Sequence, residues 1–234
     1  MDADIQSQLD RAKELLQELK KACNADLQAK NVSGNTKNLS QEVLLKVRHL
    51  LDQSIYKFFE KYYLFNLSDT DKKSAKVYFP IVSRKDDLRS VFGRAKMGDI
   101  ETRYQYFYKF IDSVQPYNPD YLWLKHLKDY SNEKHVRLTP QDIKKENETK
   151  LGNAVLVGRG SKSLSMTNCL INGIPVNSKD INAEPLGNFD PRLNVQRMTW
   201  VSFLFEGSDV NVLGLCKKSV EGGEKIIRKV LEFV

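Results

Sequence analysis

Between Ser40 and Tyr63 apolar side chains return at helical spacing for several turns, through Val43, Leu44, Val47, Leu50, Leu51, Ile55, Phe58, Phe59 and Tyr62. A stripe of that period and length belongs to an amphipathic helix with one buried face; a strand would alternate and a loop would show no period. Ser40 stands where it could cap such a helix. A second stripe, Ile5, Leu9, Ala12, Leu15, Leu16, Leu19 and Ala22, predicts a helix over residues 3–22, and the polar stretch from Asn24 to Asn38 reads as a loop. The N-terminal part of the chain is therefore expected to be helical.

Further along, polar breaks and proline punctuate shorter elements. Ser68 to Lys76 is polar. Val77-Tyr-Phe-Pro-Ile-Val82 is apolar, but Pro80 argues against a helix interior or a central strand. Ser83 followed by Asp86 resembles a helix start that would bury Leu88 and Phe92. A helix over about residues 100–113 carries Ile100, Tyr104, Phe107, Tyr108, Phe110 and Ile111, and Asn118-Pro119 opens the next, which presents Leu122, Trp123, Leu127 and Tyr130.

The character changes near residue 150. Val155-Leu-Val157 and Leu164 to Ile171 are β-prone, and Asn172-Gly173 between two apolar runs is a hairpin signal, with Pro175 placing the returning strand at an edge. Thr199 to Phe205 alternates, and with Val210 to Leu215 it reads as a second hairpin. Ser219 could cap a closing helix to about Phe233, with Gly222-Gly223 weakening its first turns. The expected fold class is α+β: an N-terminal helical bundle over 1–150, then a small antiparallel β-sheet and a C-terminal helix over 151–234, packed on the bundle as one unit.

The chain has 234 residues, 41% hydrophobic and 29% charged, enough to build a core. Lys and Arg number 37 against 30 Asp and Glu, a net charge of +7 that suits contact with a polyanion and suits an ordinary globular protein too. Cys23, Cys169 and Cys216 are far apart and form no C-x-x-C pair, so neither a disulfide framework nor a zinc knuckle is expected. The start lacks the basic-then-apolar pattern of an export signal, and no apolar run approaches a membrane span, so a cytoplasmic protein without membrane contact is expected. Gly158-Arg-Gly-Ser-Lys-Ser163 departs from a phosphate loop because Ser161 separates Gly160 from Lys162 and strand-like sequence follows; a basic hairpin turn explains it better. His126 and Asp129 share a helix but no third ligand is identifiable, so no metal or cofactor is expected. His49 reads as a surface or boundary residue.

The stretch from Gln115 to Leu138 gathers two of the three histidines. Lys128, Asn132 and His135 are spaced four and three apart and would share one helical face. A cation, an amide and an imidazole can together handle a phosphodiester: the cation stabilises phosphate charge and the imidazole moves a proton near neutral pH. These three are the candidate catalytic residues, with Arg137, Lys125 and Lys134 as neighbouring phosphate contacts. A structural account of the same residues has His135 and Asn132 closing the helix C-terminus, where a positive imidazolium is favoured. A second basic stretch, Lys72, Lys73, Lys76, Arg84, Lys85, Arg89, Arg94 and Lys96, is interleaved with Tyr78, Tyr104, Tyr106 and Tyr108. That pattern suits backbone contact plus base stacking, with Arg84, Lys85 and Arg89 as binding candidates, and a solvated helix face beside a tyrosine-lined core gives the same string.

Gln115-Pro-Tyr, Leu122-Trp-x-Leu-x-x-Leu127 and Asn132-x-Lys134-His135 together resemble a group of bacterial proteins with a Q-P-Y turn, a Trp/Leu helix and an N-x-D-K-H-R ending. Here Glu133 replaces the Asp, and Val136 separates His135 from Arg137. More distantly the helical part resembles the HEPN class of helical bundles. That resemblance implies RNA or nucleotide as ligand, a homodimer, and metal-independent ribonuclease activity of a defence or toxin–antitoxin type. The HEPN hallmark is an Arg and a His with four to six residues between them; this chain has no Arg at that distance before His135, and the nearest equivalent is Lys128, seven positions before it, without the planar fork of Arg. A non-catalytic α+β interaction or self-association module is the alternative.

Overall fold

The computed structural model describes residues 3–29, 32–132, 143–158, 164–178 and 189–234; residues 28, 132, 143–148, 178 and 197–202 are described by backbone only. The protein is α+β, with two compact units: Met1–Pro140 with Val210–Val234, and Gln141–Asp209. The closing helix thus groups with the N-terminal helices, whereas the sequence reading places it with the sheet.

The helical unit is built around two long helices, α1 (Ala3–Ala29) and α2 (Gly34–Tyr62). The apolar stripes read from the sequence are the buried faces: Leu9, Leu19, Leu50, Leu51 and Ile55 are almost wholly inaccessible. The expected loop from Asn24 to Asn38 is mostly helix, because α1 runs on to Ala29 and α2 begins at Gly34. The cap of α2 is Ser33 and not Ser40: Ser33 Oγ accepts from Thr36 N at 3.2 Å, while Asp26 Oδ2 accepts from Ser33 N at 2.8 Å. Ser40 lies inside the helix, buried, where its hydroxyl donates back to Lys37 O at 2.8 Å.

Shorter helices follow. Ser68 caps α3 (Asp69–Ser74) inside the expected polar break. Residues 77–82 form no regular secondary structure and pair with no described strand. Helix α4 (Asp86–Arg94) buries Leu88 and Phe92 as expected, but Lys85 holds its N-cap position and Ser83 does not cap it. The helix expected over 100–113 is broken at Tyr104 into α5 (Ile100–Arg103) and α6 (Gln105–Ser113). Phe107 of α6 stacks on Phe58 of α2 with ring centroids 3.7 Å apart. Pro119 opens a single 3-10 turn before α7 (Leu122–Asn132), which buries Trp123, Leu124 and Leu127 and leaves Leu122 47% exposed.

Val210 to Leu215, read as a strand, instead enters the last helix, α8 (Val212–Leu231). Asn211 caps it, its Oδ1 accepting from Gly214 N at 2.6 Å, and Ser219 sits buried in mid-helix. Helix α8 packs along α2 and α1 and also meets α7. At Gly222 an added Cβ would lie 2.6 Å from Trp123 Cζ2, and at Gly223 2.8 Å from Val47 Cγ1. The two glycines therefore let three helices approach closely, a role beyond the weakened first turns expected from propensity.

In the second unit, β1 (Ile143–Leu151) is central to a three-stranded antiparallel sheet, between β2 (Val155–Val157) and the last strand, β5 (Gln196–Phe203). Its register runs from Ile143 opposite Phe203 to Lys150 opposite Gln196. β3 (Met166–Ile171) and β4 (Ile174–Ser178) form a separate hairpin across Asn172-Gly173, both with positive φ, 51° and 77°, as a type I′ turn requires. Leu151, Val157, Ile171, Val176 and Leu193 form one buried cluster that joins both sheets.

Candidate functional site

Residues 77–82 have no β partner among the described residues, so their backbone polar groups are met in another way. Side chains from distant elements do it. Asp52 Oδ1 of α2 accepts from Phe79 N at 2.8 Å, and Arg48 Nη2, one turn earlier, donates to Phe79 O at 3.2 Å. Lys128 Nζ of α7 donates to Ile81 O at 3.1 Å. Gln115 Oε1 accepts from Val82 N at 3.0 Å while its Nε2 donates to Ile111 O at 2.9 Å. Gln115, the first residue of the Q-P-Y turn, is 0% exposed and so acts as a buried clamp. Tyr117 donates its hydroxyl to Asp112 Oδ1, and burial, then that carboxylate, raises the phenol above its ordinary value.

The clamped segment forms one wall of a cleft of about 550 Å³. Arg48, His49 and Asp52 reach it from α2, Arg94 from α4, and Lys128 and Ser131 from α7. Arg48 and Asp52 form a half-buried i,i+4 pair, Nη2 to Oδ1 3.2 Å. Burial lowers the guanidinium's affinity for its proton and the Asp52 charge opposes that; an arginine stays charged in either case. Burial likewise raises the Asp52 carboxyl, against the pull of Arg48 and the Phe79 N–H. Arg48 Nη1 is buried with no hydrogen-bond partner among the described residues. Arg94 is exposed and donates to Ser90 Oγ at 3.0 Å. Among the described lining residues, three cations stand against a single carboxylate, a positive excess that in a concave setting attracts an anion.

The expected site residues divide into four groups. Lys128 lines the cleft. Lys125 is an exposed residue of α7, and Asn132 is its last residue, described by backbone only. Lys134, His135 and Arg137 lie outside the described residues. Arg84, Lys85 and Arg89 do not join the cleft; each meets a carboxylate at the surface. Arg84 grips Asp87 with 3.0 and 3.2 Å bonds, Lys85 Nζ sits 3.2 Å from Asp112, and Arg89 grips Glu101 at 2.7 and 3.0 Å. The Arg84 hydrogen bond holds the Asp87 carboxyl below its usual range.

Arg48, His49 and Asp52 were not singled out from the sequence as a site. The available signal was an i,i+4 Arg–Asp pair beside a histidine on the polar face of the longest helix. Among the described residues no group of three or more His, Cys, Asp or Glu could hold a metal ion, and no helix is long and apolar enough to cross a membrane. Compared with family models, curated proteins and solved structures, the chain matches none.

Proposed function

We propose that this protein binds the phosphate of RNA or of a nucleotide in the cleft between α2, α4, α7 and residues 77–82. The observation that carries the reading is the convergence of Arg48, Arg94 and Lys128, from three separate helices, on one concavity where Asp52 is the single carboxylate among the described lining residues. Guanidinium groups suit phosphate oxygens through their planar fork, and a lysine adds a point charge. His49 brings an imidazole to the same cleft. With RNA, an imidazole takes the proton of the 2′-hydroxyl as its oxygen attacks phosphorus; the P–O5′ bond breaks, leaving a 2′,3′-cyclic phosphate and a 5′-hydroxyl protonated from water, so cleavage in this cleft needs no metal.

The test is a salt-dependent titration with RNA and with nucleotide. Arg94→Gln and Lys128→Gln are each expected to weaken binding and to lower the salt slope by about one. Binding that ignores both substitutions and ionic strength would refute the reading. Incubation with mixed RNA in EDTA, beside His49→Ala and His135→Ala, separates a ribonuclease from a binding module: cleavage lost in either variant assigns the imidazole responsible.

A further inference from the structure

The cleft adjoins a second cavity of different character. About 430 Å³ in volume, it is lined by Asp4, Ile5 and Gln8 of α1, by Gln53, Tyr56 and Lys57 of α2, and by Val77. His49, Asp52 and Tyr78 line both cavities, so the two adjoin across these side chains. Each has the size of an ordinary small-ligand site, roughly 300–1,000 Å³.

The two cavities ask for different chemistry. The first is cationic and holds an unpartnered donor, Arg48 Nη1. The second is largely apolar and offers two aromatic faces, Tyr56 at 44% and Tyr78 at 57% exposure. Gln53 lines it too, and the Gln53 Oε1 is a buried acceptor with no partner among the described residues. Buried polar atoms left without partners are costly, and a ligand that supplies them is bound the more strongly for it. Tyrosines exposed to this degree beside a cavity present stacking surface at little conformational cost. A ligand matching the whole site carries an anionic group at one end. At the other it carries a planar ring bearing an N–H donor.

We infer that the site takes one whole nucleotide unit with an amino-bearing base: its phosphate lies in the Arg48–Lys128 cleft and its base lies in the α1–α2 cavity against Tyr56 and Tyr78, its amino group donating to Gln53. This rests on the phosphate reading of the cleft and extends it to the base. A fatty acyl chain has no donor for Gln53, and an inorganic anion leaves the aromatic cavity unfilled. Rotation of the terminal amide brings the Gln53 acceptor to the ligand; Asp52, on the shared wall, is in place to accept from a sugar hydroxyl.

The test is calorimetric titration of the full chain with tripolyphosphate, ATP, UTP and a short oligoadenylate. ATP is expected to bind at least roughly tenfold more tightly than tripolyphosphate, the scale of one stacked base. Tyr56→Ala, at an exposed position that lines only the second cavity, is expected to bring ATP to the tripolyphosphate level while leaving tripolyphosphate unchanged, and Tyr78→Ala, on the wall of both cavities, is expected to weaken ATP by at least as much as it weakens tripolyphosphate. Gln53→Leu is expected to remove the preference for ATP over UTP. Oligoadenylate binding more tightly than ATP assigns an RNA strand as the source of the unit, and ATP binding more tightly assigns the free nucleotide. Equal affinity for ATP and tripolyphosphate would overturn the base assignment and leave the phosphate cleft standing. If neither binds, both fall. An ATP preference untouched by either tyrosine variant overturns the inference as well.

Discussion

Replacing Gly222 with alanine is expected to destabilise the helical unit, against the ordinary rule for a glycine inside a helix. Propensity alone favours the change by about 1 kcal/mol, since alanine loses less backbone freedom on folding. The geometry opposes it. The new methyl would sit 2.6 Å from Cζ2, 3.0 Å from Cε2 and 3.3 Å from Cη2 of Trp123, well inside van der Waals contact. The indole is 5% exposed on α7 and has little room to turn away. Forcing a group into a packed site of this kind costs about 1–3 kcal/mol. Where the clash exceeds the propensity gain, the net change is a loss of about 1–2 kcal/mol. Urea denaturation followed by far-UV circular dichroism reads it directly, and a Trp123→Leu background isolates its cause. With the ring gone, Gly222→Ala is expected to become neutral or stabilising by up to about 1 kcal/mol. A rise in stability on Gly222→Ala in the parental chain would refute the close-approach explanation.

Gln115→Met keeps the side-chain volume but leaves the buried Val82 N–H and Ile111 carbonyl without the partners that Gln115 supplies; a loss of about 2–4 kcal/mol in chemical denaturation is expected, and a loss under about 1 kcal/mol would contradict the clamp. Burial, then the Asp26 charge, raises the Cys23 thiol from 9.0 to about 11, and burial, then Cys23, raises Cys216 also. The folded chain then keeps protons that the unfolded chain releases, so these groups stabilise it fully below pH 9 and lose that contribution as pH climbs toward 11. Each thiol contributes a slope of roughly 1.4 kcal/mol per pH unit in that window. The slope measured for Cys216→Ala should be shallower than that of the parent by about this amount, and an unchanged slope would contradict it.

The long amphipathic helices were legible because their period persists: Val43 to Tyr62 admits one interpretation, and the same holds for Ile5 to Leu19. Caps were harder to place. Ser33 and Ser40 are equally good candidates by type, and only Asp26, which orients Ser33 from the end of α1, distinguishes them. Short apolar runs carry no such information. Val210 to Leu215 fits a strand or the first turn of a helix, and the Asn211 cap decides for the helix. β1 was missed because Ile143-Lys-Lys-Glu-Asn-Glu-Thr-Lys-Leu151 shows neither alternation nor an apolar run; its place comes from β2 and β5, which flank it. Of the candidate site, Lys128 was found through its helical spacing to Asn132 and His135. Arg48, His49 and Asp52 were hidden on the polar face of α2, where charge usually means solvent. Their significance comes from residues 77–82, which meet them only in three dimensions.

The wall of the cleft is held by bonds that span 27 residues, from Asp52 to Phe79, up to 47, from Ile81 to Lys128. Helices form from neighbours in sequence, whereas these anchors exist only once α2, α6 and α7 have come together. The cleft is therefore a late product of folding and an early casualty of loosening. In mild denaturant, ligand affinity should disappear while the helical signal is still intact, so recognition in this protein reports on tertiary order that helix content alone does not register.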